Sequence, residues 1–168
     1  MQKKLPIAID ENEFVKIIKN TKKEEHRLGF LLGFGSGLRI SEVLNVEPRD
    51  VNLNEKKIFV RQGKGSKDRV VPLPKGFKEK HIKMLPLKIG VRGLQKAFKN
   101  AVRASGLHET KPDAHFHSLR HGFGSNLAKK GVPIHHIRTL MGHSNISTTN
   151  VYLELNPTEA LNKYEELF

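Results

Sequence analysis

Four short stretches carry arginine, lysine, histidine and tyrosine side chains that suit chemistry on a phosphate ester. In GLRISE, Arg39 follows a glycine turn and opens an expected helix, and both its guanidinium fork and the helix N-terminus favour an anion. In GKGSKDR, a glycine on each side of Lys64 lets the backbone come close to a ligand. Both stretches have ordinary alternatives, because Arg39 could form an ion pair with Glu42 and Lys64 could lie in a solvated basic turn.

The other two stretches supply histidine and tyrosine. HFHSLRHGFG places His117 and Arg120 three residues apart, which puts them on one face of a helix. His117 and His121 have a spacing that metal sites use, but the glutamate of an HExxH site and a nearby carboxylate are missing, so no metal site is expected. MGHSNISTTNVY contains His143 and, nine positions later, Tyr152.

The charge of the chain is concentrated in one stretch. Of the formal net charge of +13, all lies within residues 56–103, which hold fifteen Lys or Arg and two acidic residues, while the remainder is balanced at fifteen of each. A localised basic surface is typical of a nucleic-acid binder, because contacts to phosphates release condensed counterions. A solvated basic face or a membrane-surface patch is the alternative.

Composition excludes several other classes. The 168 residues include no cysteine, which excludes disulfides, zinc–thiolate sites and thiol catalysis. No apolar run approaches the roughly 18 residues of a membrane span, and the N-terminus MQKKLPIAIDENEF lacks the apolar stretch of a signal peptide. We therefore expect a cytoplasmic protein without a membrane partner.

The elements that would position these residues are mostly helical. Asp10 followed by Glu13 has the pattern of a capping box at a helix start. Further helices are expected over about 24–34, RISEVLNV, VRGLQKAFKNAVRASG, HSLRHGFGSNLAKKG, PIHHIRTLMG and PTEALNKYEELF. IFVRQ and RVVPL, joined by GKGSKD, predict a β-hairpin with a lysine-bearing tip, whereas PKGFKEKHIKMLPLKIG follows neither pattern clearly. The predicted fold class is α+β, mostly helical with one small antiparallel sheet.

Taken together, the four stretches resemble the active site of the tyrosine recombinase and phage-type integrase family. The order R, K, HxxR, H, Y matches, and the nine-residue step from the last histidine to the tyrosine is that of Xer-like members. The resemblance runs from about Gly33 to Leu155 and implies the catalytic-domain fold of that family. The six matching positions are Arg39, Lys64, His117, Arg120, His143 and Tyr152.

The resemblance implies DNA cleavage and religation through a covalent 3′-phosphotyrosyl intermediate, with no cofactor, metal or ATP. Tyr152 would be the nucleophile, and it is favoured over Tyr164, whose spacing from Leu161 and Leu167 is that of a packing stripe. Arg39 and Arg120 would clamp the phosphate and stabilise the charge that grows on it.

The remaining implied roles concern protons and DNA contacts. Lys64 would protonate the departing 5′-oxygen, His117 would act as base or proton acceptor, and His143 would hydrogen-bond the phosphate. Double-stranded DNA is the expected partner. Three basic residues near the hairpin tip are expected to contact it: Arg61, Lys67 and Arg69.

Family members usually carry a separate N-terminal DNA-binding domain, whereas here only about thirty residues precede GLRISE. We expect residues 1–168 to be a single catalytic domain, either a piece of a longer integrase or a naturally truncated protein. Such a domain should bind DNA weakly and be a monomer alone, with a tetramer forming only on two DNA sites. Residues 157–168 could be a helix that docks on a neighbouring protomer, or one that folds back on its own domain.

Two further functions remain open from the sequence. One is nicking and closing of DNA in the manner of a type IB topoisomerase, which uses the same chemistry without strand exchange. The other is a non-catalytic DNA-binding regulator that retains the residues.

Overall fold

The computed structural model describes residues 5–61 and 68–142. Within these ranges the mostly helical α+β prediction is confirmed. The elements, in chain order, are α1 (Glu11–Lys19), α2 (Glu24–Gly35), α3 (Ile40–Asn45), β1 (Val51–Asn52), β2 (Lys57–Val60), β3 (Arg69–Pro72), α4 (Glu79–Ile82), α5 (Val91–Ala104), α6 (His117–Lys129) and α7 (Ile134–Met141). None of the helices in this part of the chain is long and apolar enough to cross a membrane.

Helix α1 begins with the capping box that its sequence predicts. The Glu13 N–H donates to Asp10 Oδ1 at 2.8 Å, and the Asp10 N–H donates to Glu13 Oε2 at 2.8 Å. These two bonds satisfy N–H groups that a helix start leaves without partners. The helix buries Phe14 and Ile17, and the Phe14 ring stacks on Phe34 of α2 with centroids 4.1 Å apart.

The sheet has three antiparallel strands in the order β1-β2-β3. Strands β2 and β3 confirm the two β-runs predicted from sequence, and residues 62–67 between them lie outside the described residues. The pair Ile58↔Val71 faces the core, whereas the neighbouring pair Phe59↔Val70 is exposed. Strand β1 is only two residues long, too short for an alternating pattern to reveal it.

The core is built around α2. Its Phe30 is fully buried and meets Phe98 of α5 edge-on, with ring centroids 5.3 Å apart. Phe116, directly before α6, closes the cluster at 6.1 Å from Phe98. Helices α3, α5 and α6 therefore pack on one central helix, which fixes the start of α3 relative to the start of α6.

The segment before α1 crosses the face of α6. The Ile9 N–H donates to the Ser118 carbonyl at 3.2 Å, and Lys111 Nζ donates to the Ala8 carbonyl at 2.7 Å. A Cβ added to Gly122 would lie only 2.2 Å from the Ile9 carbonyl oxygen. Residues 7–10, which we name the N-terminal strap, can lie this close only because α6 has a glycine there.

Candidate active site

Three of the six predicted catalytic residues lie within the described residues, and the fold brings them together: Arg39, His117 and Arg120. The DNA-contact candidates Arg61 and Arg69 are described as well. The remaining predicted residues, like the proposed docking segment 157–168, lie outside the described residues: Lys64, Lys67, His143 and Tyr152.

Glu42, in the first turn of α3, is the carboxylate around which the described cations gather. Its side chain is 10% exposed. Arg69 donates two parallel bonds to its two oxygens, each 2.8 Å long. The Arg39 guanidinium donates at 3.0 Å and the Arg39 backbone N–H at 2.8 Å. Arg120 Nη1 lies 3.9 Å from Glu42 Oε2, so three guanidinium groups face one carboxylate.

Arg39 lies immediately before α3, as GLRISE predicts. Its backbone is extended there, and the Glu42 side chain reaches back to it in the manner of a capping box. The ion pair with Glu42, considered from sequence as an alternative, is present, yet the Arg39 side chain is still 39% exposed. An anion can therefore approach a guanidinium whose orientation is already held.

Arg120 is far more enclosed, at 1% exposure. It donates through Nη1 to the Gly37 carbonyl at 2.5 Å and through Nη2 to the Met141 carbonyl. Gly37 has φ of 68°, and a Cβ there would lie 2.4 Å from the Phe123 ring. One guanidinium thus joins α6 to the turn after α2 and to the end of α7. Its role as a phosphate clamp stays a prediction.

The two described DNA-contact candidates differ in environment. Arg61 is half-exposed and donates through Nε to Asp50 Oδ1 at 3.0 Å. Arg69 is buried, and besides Glu42 it donates through Nε to the Leu140 carbonyl at 2.8 Å. Since every nitrogen of the Arg69 guanidinium bonds within the protein, its geometry does not support a direct contact with DNA.

His117 is the first residue of α6 and shares a helix face with Arg120 three residues later. Its side chain is exposed overall, but protein atoms crowd part of the ring, whose centroid is 4.7 Å from that of His121. This local desolvation, followed by the positive charges of Arg120, His115 and Arg39, lowers the pKa of His117 to about 4. The imidazole of the DNA-free chain is therefore neutral at pH 7.

The site also fixes the protonation of Glu42. Burial alone would raise the pKa of this carboxyl, but the Arg69 hydrogen bonds, the Arg39 N–H and the charges of both arginines outweigh it and lower the pKa to about 2. One ionised carboxylate against three guanidiniums leaves the cluster with an excess positive charge. Such a cluster attracts anions.

Comparison with known proteins identifies the family of the chain. The sequence profile of the phage integrase family matches residues 8–86 and 86–159, nearly the whole chain. The chain belongs to the phage integrase family. The tyrosine recombinase XerA of Thermococcus kodakarensis is 35% identical over 183 residues, covering 96% of this chain and 62% of the relative. A tyrosine recombinase of Thermosipho africanus is 31% identical, covering 99% of this chain and 64% of the relative.

Solved structures share the fold of this phage integrase family chain. A crystal structure of XerA recombinase superposes with a TM-score of 0.76 at 22% identity, covering 97% of this chain and 65% of that one. A lambda integrase dimer bound to a core site gives a TM-score of 0.67 at 18% identity, covering 90% and 49%. The chain thus spans less than two thirds of these longer proteins. The predicted family and its catalytic-domain fold are confirmed.

Sequence reasoning missed two features of this phage integrase site. Glu42 entered only as an alternative partner for Arg39, although its position in the first turn of α3, three residues after that arginine, is typical of a capping acid. The burial of Arg69 had no local signal, because it depends on the approach of α7 to β3. Among the described residues, no cluster of three or more histidines and carboxylates could hold a metal ion.

Proposed function

We propose that this chain is the catalytic domain of a site-specific DNA recombinase or integrase, acting through a covalent phosphotyrosyl intermediate. The observation that carries the proposal is the assembly of Arg39, His117 and Arg120, from chain regions about eighty residues apart, around the single carboxylate of Glu42. The order of the motifs and the family membership support the same reaction.

In the proposed reaction, Tyr152 Oη attacks the phosphorus of a DNA phosphodiester, and the bond from phosphorus to the 5′-oxygen breaks. A free phenol loses its proton only near pH ~10, so Tyr152 needs a base, and His117 would be the proton acceptor. Lys64 gives a proton to the departing 5′-oxygen. The exposed face of Arg39 binds a non-bridging oxygen.

The intermediate keeps a phosphate ester bond. The free 5′-hydroxyl attacks the phosphotyrosyl phosphorus, Tyr152 leaves, and the phosphodiester is restored. Because one ester is exchanged for another at each step, religation requires no ATP.

The basic face of α5 supports duplex DNA as the partner. Four exposed cations recur along one side of this helix at spacings of four, three and four residues: Arg92, Lys96, Lys99 and Arg103. Phosphates along a DNA strand would be attracted to such a row. Solved neighbours of similar fold include a recombinase, XerH, bound to its difH substrate and the lambda integrase dimer bound to a core site.

We infer that several copies assemble on DNA, with a tetramer on two sites, and that residues 157–168 form a docking helix in that assembly. We also infer that residues 1–168 act as one catalytic domain. Its place of action would be the cytoplasm, where chromosomal or mobile-element DNA is accessible to it.

Covalent trapping on a nicked suicide duplex tests the proposed reaction. In EDTA, the wild-type chain should give a protein–DNA band on a denaturing gel. Tyr152→Phe should abolish the band, while the matched variant Tyr164→Phe should retain it. A band that persists in Tyr152→Phe, or trapping that requires a divalent metal, contradicts the proposal. Strand exchange between two duplexes then separates recombination from nicking and closing.

Lys64→Ala tests the proton donor. Cleavage of ordinary DNA should slow strongly, whereas cleavage of DNA with a bridging 5′-sulfur should be much less affected, because a thiolate leaves without a proton. Single-turnover rates on the two substrates provide the measurement. Equal slowing on both would remove Lys64 from this role, and Arg39→Ala should slow both.

A further inference from the structure

Arg69 links three separate elements of the site through one buried side chain. It opens β3, it holds both oxygens of Glu42 in α3 at 2.8 Å, and it donates to the Leu140 carbonyl in α7 at 2.8 Å. Its side chain is 6% exposed. The planar guanidinium can make the paired carboxylate bonds and the carbonyl bond at once, which a lysine ammonium cannot do with the same geometry.

The end of α7 depends on two arginines. The last carbonyls of a helix have no partner within the helix. Here Arg69 donates a hydrogen bond to the Leu140 carbonyl, and Arg120 donates one to the Met141 carbonyl. The next residue, Gly142, has φ of 62°, and a Cβ there would lie 3.1 Å from Arg69 Cδ. The backbone therefore turns out of α7 directly against Arg69, and His143 follows next in the sequence.

We propose that Arg69 is a positioning residue for catalysis rather than a DNA contact. It holds Glu42 and the end of α7 in one arrangement, and through them it aligns Arg39 and Arg120. The consequence for cleavage rests on the proposed function, whereas the consequence for the end of α7 can be measured without it.

The test compares Arg69→Met and Arg69→Lys with Lys111→Met. Lys111 is a matched control because it also bridges a backbone carbonyl, of Ala8, and a carboxylate, of Glu13, at 2.7 and 2.6 Å. Three quantities are measured on the full chain: the single-turnover cleavage rate at saturating suicide duplex, the affinity for that duplex, and hydrogen exchange of the Gly142 amide. That amide donates to the Thr139 carbonyl at 3.2 Å.

Arg69→Met should slow cleavage about 100-fold, the loss expected when reacting groups shift by about an ångström. DNA affinity should fall by much less than the cleavage rate. Exchange at Gly142 should become faster while exchange in α5 does not. Arg69→Lys should fall between wild type and Arg69→Met, because it keeps the charge and loses the fork. Lys111→Met should keep the wild-type cleavage rate per folded molecule and wild-type exchange at Gly142.

Several outcomes would overturn the inference. Wild-type cleavage by Arg69→Met would do so, as would weaker DNA binding with unchanged cleavage at saturation, or an equal cleavage loss in Lys111→Met. If the wild-type chain forms no covalent complex, the proposed function fails, and hydrogen exchange alone decides: unchanged exchange at Gly142 in Arg69→Met rejects the positioning role. If Arg69→Met does not fold, the same comparisons apply to Arg69→Lys.

Discussion

At the scale of single residues, Glu42 organises the site because a buried carboxylate must be paired. Three guanidiniums compete for its two oxygens, and Arg69 occupies both with short parallel bonds. Within residues 5–61 and 68–142, the Arg39 guanidinium bonds to Glu42 through Nη1, and its side chain is 39% exposed, which suits an arginine that has to reach a ligand. Around this one carboxylate, Arg69 is therefore buried within the protein and Arg39 is exposed to a ligand.

Removing this charge should destabilise the chain. We expect Glu42→Gln to lower the free energy of unfolding at pH 7 by about 3 kcal/mol, because it leaves buried guanidiniums without their counter-charge. Glu55→Gln is the matched control, since Glu55 pairs with Lys57 at the surface and should contribute only about 0.5 kcal/mol. Urea unfolding measures both. Equal effects of the two changes would show that Glu42 has no special place.

The same contribution should vanish in acid. The pKa of Glu42 is about 2 in the folded chain and 4.5 ordinarily, so folding favours the ionised form. Its stabilisation is complete above pH 4.5 and is lost as the pH falls towards 2. The stability difference between wild type and Glu42→Gln should therefore shrink across this window, and a difference that stays constant would contradict the ion-pair explanation.

His117 should stay neutral well below the usual pH. In an NMR titration of the DNA-free protein, its ring signals should shift with a midpoint near 4, because partial desolvation and then the nearby cations disfavour the imidazolium. Since the ordinary value is 6.5, the folded state resists this proton, and stability falls as the pH drops from 6.5 to 4. Arg39→Met should raise the midpoint. A midpoint of 6.5 in the wild type would reject the lowered pKa.

That Arg39, His117 and Arg120 belong to one site was predictable from sequence, because short motifs mark all three residues. Their division into exposed and buried members was not. Arg69 and Leu140 are 71 positions apart. Arg69 is buried because α7 packs beside β3, and no local sequence pattern indicates that packing.

At the scale of elements, α6 is held on two sides. Its start packs on α2 through Phe116, and its middle lies under the N-terminal strap. The capping box of α1 and the hairpin strands followed from local sequence rules, since the bonds that define them span a few residues. The strap did not, because its bond from Ile9 to Ser118 joins segments with no shared pattern.

Gly122→Ala should test how strongly α6 depends on its close contact with the N-terminal strap. The new Cβ would meet a backbone oxygen at 2.2 Å, so either the strap or α6 must move, at a cost of about 3 kcal/mol. Gly76→Ala is the control, because the described neighbours of a Cβ there are two Leu31 atoms at 3.4 Å, an ordinary contact. Thermal unfolding and covalent trapping should both report the loss in Gly122→Ala. A wild-type unfolding temperature and trapping yield for Gly122→Ala would show that the strap can move away from α6 at little cost.

At the scale of the whole molecule, charge is distributed unevenly along the chain. Residues 56–103 carry the entire excess, and α5 presents part of it as an exposed row. Composition predicted this surface because charge counts need no fold. The arrangement of the row along one helix face required the helical periodicity of α5, which its sequence also predicted.

DNA affinity should therefore depend strongly on salt. Lys96→Ala with Lys99→Ala should reduce the slope of log affinity against log salt by about two, roughly one for each phosphate that the variant no longer neutralises. Lys16→Ala with Lys19→Ala has the same spacing on α1, where Glu11 and Glu13 balance the charge, and should leave the slope unchanged. Fluorescence anisotropy from 50 to 200 mM salt, roughly the range over which such binding weakens, measures both. Equal slopes for the two double variants would show that DNA does not contact the exposed cations of α5.

The way α7 ends has a practical consequence for chimeras between this chain and its relatives. Arg69 and Arg120 bond to backbone carbonyls of residues 140 and 141, and the buried Met141 side chain packs the end of α7 against the core. A C-terminal segment taken from a relative and joined after Gly142 would keep residues 140 and 141, and with them the carbonyls that Arg69 and Arg120 bind. The peptide bond between Gly142 and His143 is thus a suitable junction at which the C-terminal segments of different relatives could be exchanged.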